Sequence, residues 1–258
     1  MQALRQVTRA VSPKTALTAT AALVALSGTA YSITIYRRLS ITSRSLIKTT
    51  ESVSESFRKS ATILSLVNPR GHTAEEDSRS IALAVPDGVK LPSEELILSR
   101  FLRGFFGGPV FLLERIGLQL LRKQLVVFDG MLPLGLAPGS APEHVNSMSE
   151  LPASLPSLHS VFWGIFQVTD LRVGEDGEGS SIDFVYGSDR GEFAGCHRFT
   201  VRKETGAQGG RVFVSMECVT CNPKVDKPVS GQLLSGFHHL YAMMLFRDGV
   251  AEVKALLS

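Results

Sequence analysis

Between residues 161 and 220 four strand-like runs follow one another, with only short glycine-rich stretches between them. The runs are 161–173, 181–186, 197–203 and 211–220, and the breaks are 174–179, 187–195 and 206–210. Connections this short join antiparallel neighbours, because a parallel return needs a crossover of a dozen residues or more. What comes next is helical. From 230 to 257 the apolar residues Phe237, Leu240, Tyr241, Met244 and Leu245 recur at i, i+3, i+4, i+7 and i+8, one stripe of an amphipathic helix. An antiparallel sheet followed by such a helix buries both apolar faces by stacking one on the other.

Upstream, Ile81, Leu83 and Val85 alternate over 80–85 and predict a strand, closed by the turn Pro86-Asp87-Gly88. Ser93 is placed to cap a helix whose first turn holds Glu94 and Glu95. Gly107-Gly108-Pro109 ends that helix near Phe106 and opens a second one over 110–123, and 125–128 reads as a short strand. Residues 133–158 hold five of the 12 prolines and read as a long loop. The predicted class is therefore α+β: a curved antiparallel sheet gripping a long C-terminal helix, the helix-grip arrangement of START/Bet v 1-like proteins. That arrangement leaves a hydrophobic cavity between sheet and helix. The domain spans 80–258, and 39–79, dense in Ser and Thr and broken by Pro69, Gly71 and Glu75-Glu76-Asp77, reads as a linker.

The N-terminal segment, 1–38, is different in kind. Residues 15–36 carry no charge, and as a helix these 22 residues would span about 33 Å, close to a bilayer's hydrocarbon thickness. Six Ala and five Thr make the run only moderately apolar. A single-pass anchor fits, with basic residues at both ends (Lys14; Arg37 and Arg38). A mitochondrial targeting sequence fits the Arg5, Arg9, Lys14 spacing and the missing acids, and it is compatible with an anchor; a cleaved secretory signal is the third reading. The net charge of +3 comes from here: residues 1–50 hold seven Lys and Arg and no acid. The remainder is net acidic, which argues against a nucleic-acid-binding body. Three cysteines, Cys196, Cys218 and Cys221, make a poor disulfide framework.

Three stretches carry a resemblance: Phe184-Val185-Tyr186-Gly187, then Gly195-Cys196-His197-Arg198-Phe199-Thr200-Val201, then Leu245-Phe246-Arg247-Asp248-Gly249-Val250-Ala251-Glu252-Val253. Together they resemble an uncharacterised family found in bacteria, plants and fungi, catalogued as domain of unknown function 1990. Its members carry a Tyr-Gly before a hairpin, an Arg-Phe-x-Val strand, and a final helix with Arg-Asp followed by small residues. The likeness covers about 160–255 and brings no catalytic residues with it. The N-terminal hydrophobic segment and the proline-rich loop depart from the family pattern.

Residue parity supplies the candidate site. In 196–203, His197, Phe199 and Val201 share one strand face; in 211–221, Val212, Val214, Met216 and Cys218 share another. Turned toward the helix, these faces line the expected cavity with Phe184, Tyr186, His197, Phe199, Met216 and Cys218, joined by Tyr241 and Met244 from the helix. Tyr186 and His197 are the polar groups on this apolar wall, the pattern by which a site orients a hydrophobic molecule. Parity also puts Cys218 and Cys221 on opposite faces, against a redox pair. His238-His239 lies about 100° apart on a helix and does not converge on a metal. No phosphate loop, nucleophile elbow or zinc motif is present. The expected function is membrane-anchored binding of a lipid or other hydrophobic small molecule, without cofactor, metal or nucleic acid. The alternative is a metal-independent cyclase or isomerase acting on a hydrophobic biosynthetic intermediate, with His197 or Tyr186 as general acid or base.

Overall fold

A computed structural model describes residues 13–86, 88–129, 142–175, 179–206, 209–229 and 232–258. Arg5 and Arg9 of the targeting reading, the first part of the proline-rich loop and Ser230 lie outside the described residues. The elements are α1 (Pro13–Ser40), β1 (Lys48–Thr50), α2 (Glu55–Arg58), a π-helical turn (Thr62–Val67), β2 (Ala74–Ala84), α3 (Glu94–Gly107) and α4 (Leu112–Leu121), then β3 (His144–Val145), β4 (Val161–Phe162), β5 (Phe166–Glu175), β6 (Gly179–Gly187), β7 (Ala194–Gly206), β8 (Gly209–Cys221) and α5 (Gln232–Leu257).

The eight strands form one mixed sheet in the order β1-β2-β8-β7-β6-β5-β4-β3, antiparallel throughout except for the β3–β4 pair. The chain is thus α+β, with a large sheet and a long C-terminal helix. The β5–β6 register shifts twice, between Val168 and Asp170 and between Arg172 and Glu175; such bulges increase the local twist and bend a sheet.

Two helices share the inner face. Ser93 caps α3 by accepting from the Leu96 backbone N–H at 3.2 Å, and α3 lies on β5, β6 and β7. Its Phe106 is fully buried among Phe105, Phe162, Phe166 and Phe184, with ring centroids 4.9 to 5.3 Å away. Against α3 packs α5, which also touches β2. The two helix backbones meet at glycine: a Cβ on Gly104 would stand 2.6 Å from the Asp248 carbonyl oxygen and 2.8 Å from the Gly249 Cα. The predicted stripe on α5 is only partly inward. Leu245 is buried, whereas Phe237 and Leu240 are 65% and 54% exposed.

The stretch 39–79 is no linker. It supplies β1, α2, the π-helical turn and half of β2, and it covers the outer face of the sheet. Phe57, Ile63, Leu66 and Val67 pack there with Val185, Ala194, Cys196, Val219 and Cys221. Its charged residues find partners instead of breaking the fold. Arg58 donates to Glu76 at 2.7 Å, and Ser54 donates to Glu217 through its backbone N–H and hydroxyl. On the same face Arg198 grips Asp183 through two bonds of 2.6 and 2.8 Å and lies over the Phe57 ring. The run 161–173 is two strands, split by a turn at Trp163 and Gly164, both at positive φ. Residues 125–128 make a single bridge, Val127 to Ser188, rather than a strand.

Every described side chain of α1 from 17 to 30 is exposed, including Leu17, Leu23, Val24 and Leu26. Its C-terminal part docks on the body. Tyr31 donates to the Pro109 carbonyl at 2.8 Å, and Arg38 pairs with Asp248 and Glu252 at 2.7 and 2.6 Å. Arg247 in turn donates to the Thr42 and Leu39 carbonyls. Among the described residues no single helix is long and apolar enough to cross a membrane.

Candidate functional site

Strand register sets the site. Cys218 on β8 lies between Asp77 on β2 and His197 on β7, and His197 lies beside Phe184 on β6. The inner face therefore carries a cross-strand row, Asp77–Cys218–His197–Phe184, that runs from charged to apolar. One row along stand Arg79, Met216 and Phe199; one row the other way stand Thr220, Gly195 and Tyr186.

Gly195 explains the pose of Tyr186. A Cβ at 195 would overlap the Tyr186 ring, so only glycine lets that ring lie across β7 and reach β8. There the Tyr186 hydroxyl meets Thr220 Oγ1 at 2.7 Å and Cys218 Sγ at 3.2 Å. The same ring sits 4.7 Å from the His197 imidazole, centroid to centroid. Burial drives both groups away from charge. It pushes Tyr186 well above its ordinary value, reinforced by Cys218. It pushes His197 down to about 3, with His238 adding to the effect. His197 is thus a neutral imidazole at physiological pH, and its Nδ1 has no hydrogen-bond partner among the described residues.

At the β2 end the row meets α5. Asp77 and Arg79 are 5% and 3% exposed and pair at 2.6 Å. His239 Nδ1 lies 2.9 Å from the same carboxylate oxygen, and Arg79 donates to the His239 carbonyl at 3.2 Å. Burial is the largest single influence and would raise Asp77, but its neighbours together, Arg79 foremost, outweigh it and hold the carboxyl below its usual range. His238, one residue away, turns inward with Nε2 at 4.0 Å from Cys218 Sγ. The pairing leaves groups over. Asp77 Oδ1, Arg79 Nε and Arg79 Nη1 are buried without a partner among the described residues. A groove of about 660 Å3 opens here between β1, β2 and the first half of α5, with Asp77, Arg79, His239, Leu240 and Met243 in its wall.

Of the residues expected to line a central cavity, Tyr186, His197 and Cys218 come together as one cluster. Phe184, Phe199 and Met216 are fully buried on the same face. Phe101, Phe105 and Phe106 of α3 cover the two phenylalanines, so they are packed core rather than walls of open space. The two α5 residues do not join the cluster. Tyr241 donates to Glu114 of α4 at 2.7 Å, and Met244 is partly buried against the core. Asp77, Arg79 and His239 were not expected. Continuing the parity of Ile81 and Leu83 backward reaches both charged residues, but the acidic triplet hid this. The His239 side chain is half exposed yet reaches Asp77. Cys218 and Cys221 lie in the cores on opposite faces of the sheet. Among the described residues no three His, Cys, Asp or Glu side chains converge as a metal site.

No family model, curated protein or solved structure matches this chain.

Proposed function

We propose that the protein binds a lipid or another hydrophobic small molecule that carries one hydrogen-bonding head, and that α1 tethers it to a membrane. On this reading the sheet, α3 and α5 form a helix-grip whose ligand enters at the β2 end, with its head at Asp77 and Arg79 and its apolar part along Leu240 and Met243. The supporting observation is the buried Asp77–Arg79 pair, which keeps one acceptor and two donors without partners among the described residues, beside an open groove. Unpaired buried polar atoms cost free energy, and a ligand head that satisfies them recovers it. The exposed apolar side chains of α1 between 17 and 30 support the tether.

The catalytic alternative has less behind it. A general acid or base works best with a pKa near the working pH, and burial moves His197 and Tyr186 far from neutrality in opposite directions. They serve better as fixed walls. The test is native mass spectrometry of the full chain after gentle detergent extraction, comparing wild type with Arg79→Met. A hydrophobic mass carried by wild type and lost from a folded variant is the expected result. Wild type without any bound mass, or a variant that keeps it, refutes the reading.

A further inference from the structure

A second open volume lies where α1 meets the body. Arg37 and Arg38 of α1, Arg100 and Arg103 of α3, and Met148 surround a cleft of about 610 Å3, and Glu252 is the one acid in its wall. The charge there is not balanced. Arg38 is matched by Asp248 and Glu252. Arg103 donates to two backbone carbonyls, of Leu151 and Pro152, which carry no net charge. Arg37 and Arg100 have no ion-pair partner among the described residues. Three guanidinium groups thus line one cleft without an ion-pair partner among the described residues, since Glu252 is taken by Arg38. N-terminal to Tyr31 the described side chains of α1 from 17 to 30 are exposed, Leu17, Leu23, Val24 and Leu26 among them, and this cleft sits at the C-terminal end of α1.

We infer that this cleft binds a phosphate-bearing group, presented by an anionic phospholipid at the membrane surface. Guanidinium forks match phosphate oxygens in geometry and charge. If α1 enters a bilayer, the basic cleft falls at headgroup level, where cationic side chains meet anionic lipid. The inference rests on the tether reading for the source of the phosphate, but not for the existence of the site.

The experiment floats the full chain with vesicles of phosphatidylcholine alone and of phosphatidylcholine doped with phosphatidylglycerol, for wild type and Arg37→Gln/Arg100→Gln. Each arginine near an anionic surface is worth about fivefold in binding. Wild type should therefore prefer the doped vesicles about 25-fold more than the double variant does, and added salt should shrink the gap. Trp163 fluorescence reports whether the variant is folded, and Arg100→Gln alone serves as a second variant, expected to lose about fivefold. A folded variant with the wild-type preference overturns the site. A parallel arm titrates detergent-solubilised protein with inorganic phosphate. If phosphate binds wild type but not the variant and vesicle preference is absent, the source is soluble phosphate and the lipid assignment falls. If neither protein floats with neutral vesicles, the tether fails, while the contrast on doped vesicles still decides the cleft.

Discussion

Replacing Asp77 by leucine removes the one anionic partner that Arg79 has among the described residues. The guanidinium is 3% exposed, so it cannot turn to water, and what remains to it is uncharged: the His239 carbonyl at 3.2 Å and, at 3.4 Å, the Nδ1 of the same residue. Breaking a buried pair by deleting one partner costs about 3–5 kcal/mol. For a domain of this size that corresponds to a fall in Tm on the order of 10 °C. Arg79→Met should cost less, because His239 still lies beside the carboxylate at 2.9 Å. The double variant Asp77→Leu/Arg79→Met is the discriminating one. With neither charge left to desolvate, its stability should return to within about 1 kcal/mol of wild type, or exceed it. Urea unfolding followed by the fluorescence of Trp163, the only tryptophan and 3% exposed, gives all four corners of the cycle. Additive losses in the double variant, or a loss below about 1 kcal/mol in Asp77→Leu, would refute a buried coupled pair. A stable double variant that has also lost its bound hydrophobic mass would place the pair's role in binding rather than in folding.

Acid should destabilise the protein through His197. Its folded value is about 3 against an ordinary 6.5, so the unfolded chain binds the extra proton. Stability then falls as pH drops through the window from about 6.5 to 3, by up to about 1.4 kcal/mol per pH unit. His197→Phe should flatten the dependence of the urea midpoint between pH 7 and 5, and an unchanged slope would assign it elsewhere. Gly195→Ala should cost about 1–3 kcal/mol through the displaced Tyr186 ring, and much less in a Tyr186→Ala background; equal costs in both would sink the glycine argument. Burial pushes the Cys218 thiol up to about 12 and Cys221 to about 11. All three cysteines should therefore resist a thiol reagent at pH 8 and react together in denaturant, and rapid native labelling would contradict their packing. Phe106→Ala should cost about 3–5 kcal/mol, read by the same fluorescence, since Phe106 sits 5.9 Å from Trp163.

Several elements between 80 and 257, and the faces of the long strands, are legible in the linear chain. Short glycine breaks forced antiparallel pairing of β5 to β8, Ser93 and Gly107 to Pro109 marked the limits of α3, and parity separated Cys218 from Cys221. These are local consequences of backbone geometry, so a linear reading reaches them. Tertiary structure decided the rest. The linear chain marks where α3 starts and stops but not what its phenylalanines touch, and only the packing of α3 between α5 and the sheet shows that they fill the centre. Asp77 and Arg79 read as part of a solvated acidic linker, because their partners are each other and His239, 162 residues away from Asp77. A buried charge is permitted only by what surrounds it, and that surrounding is assembled from distant parts of the chain.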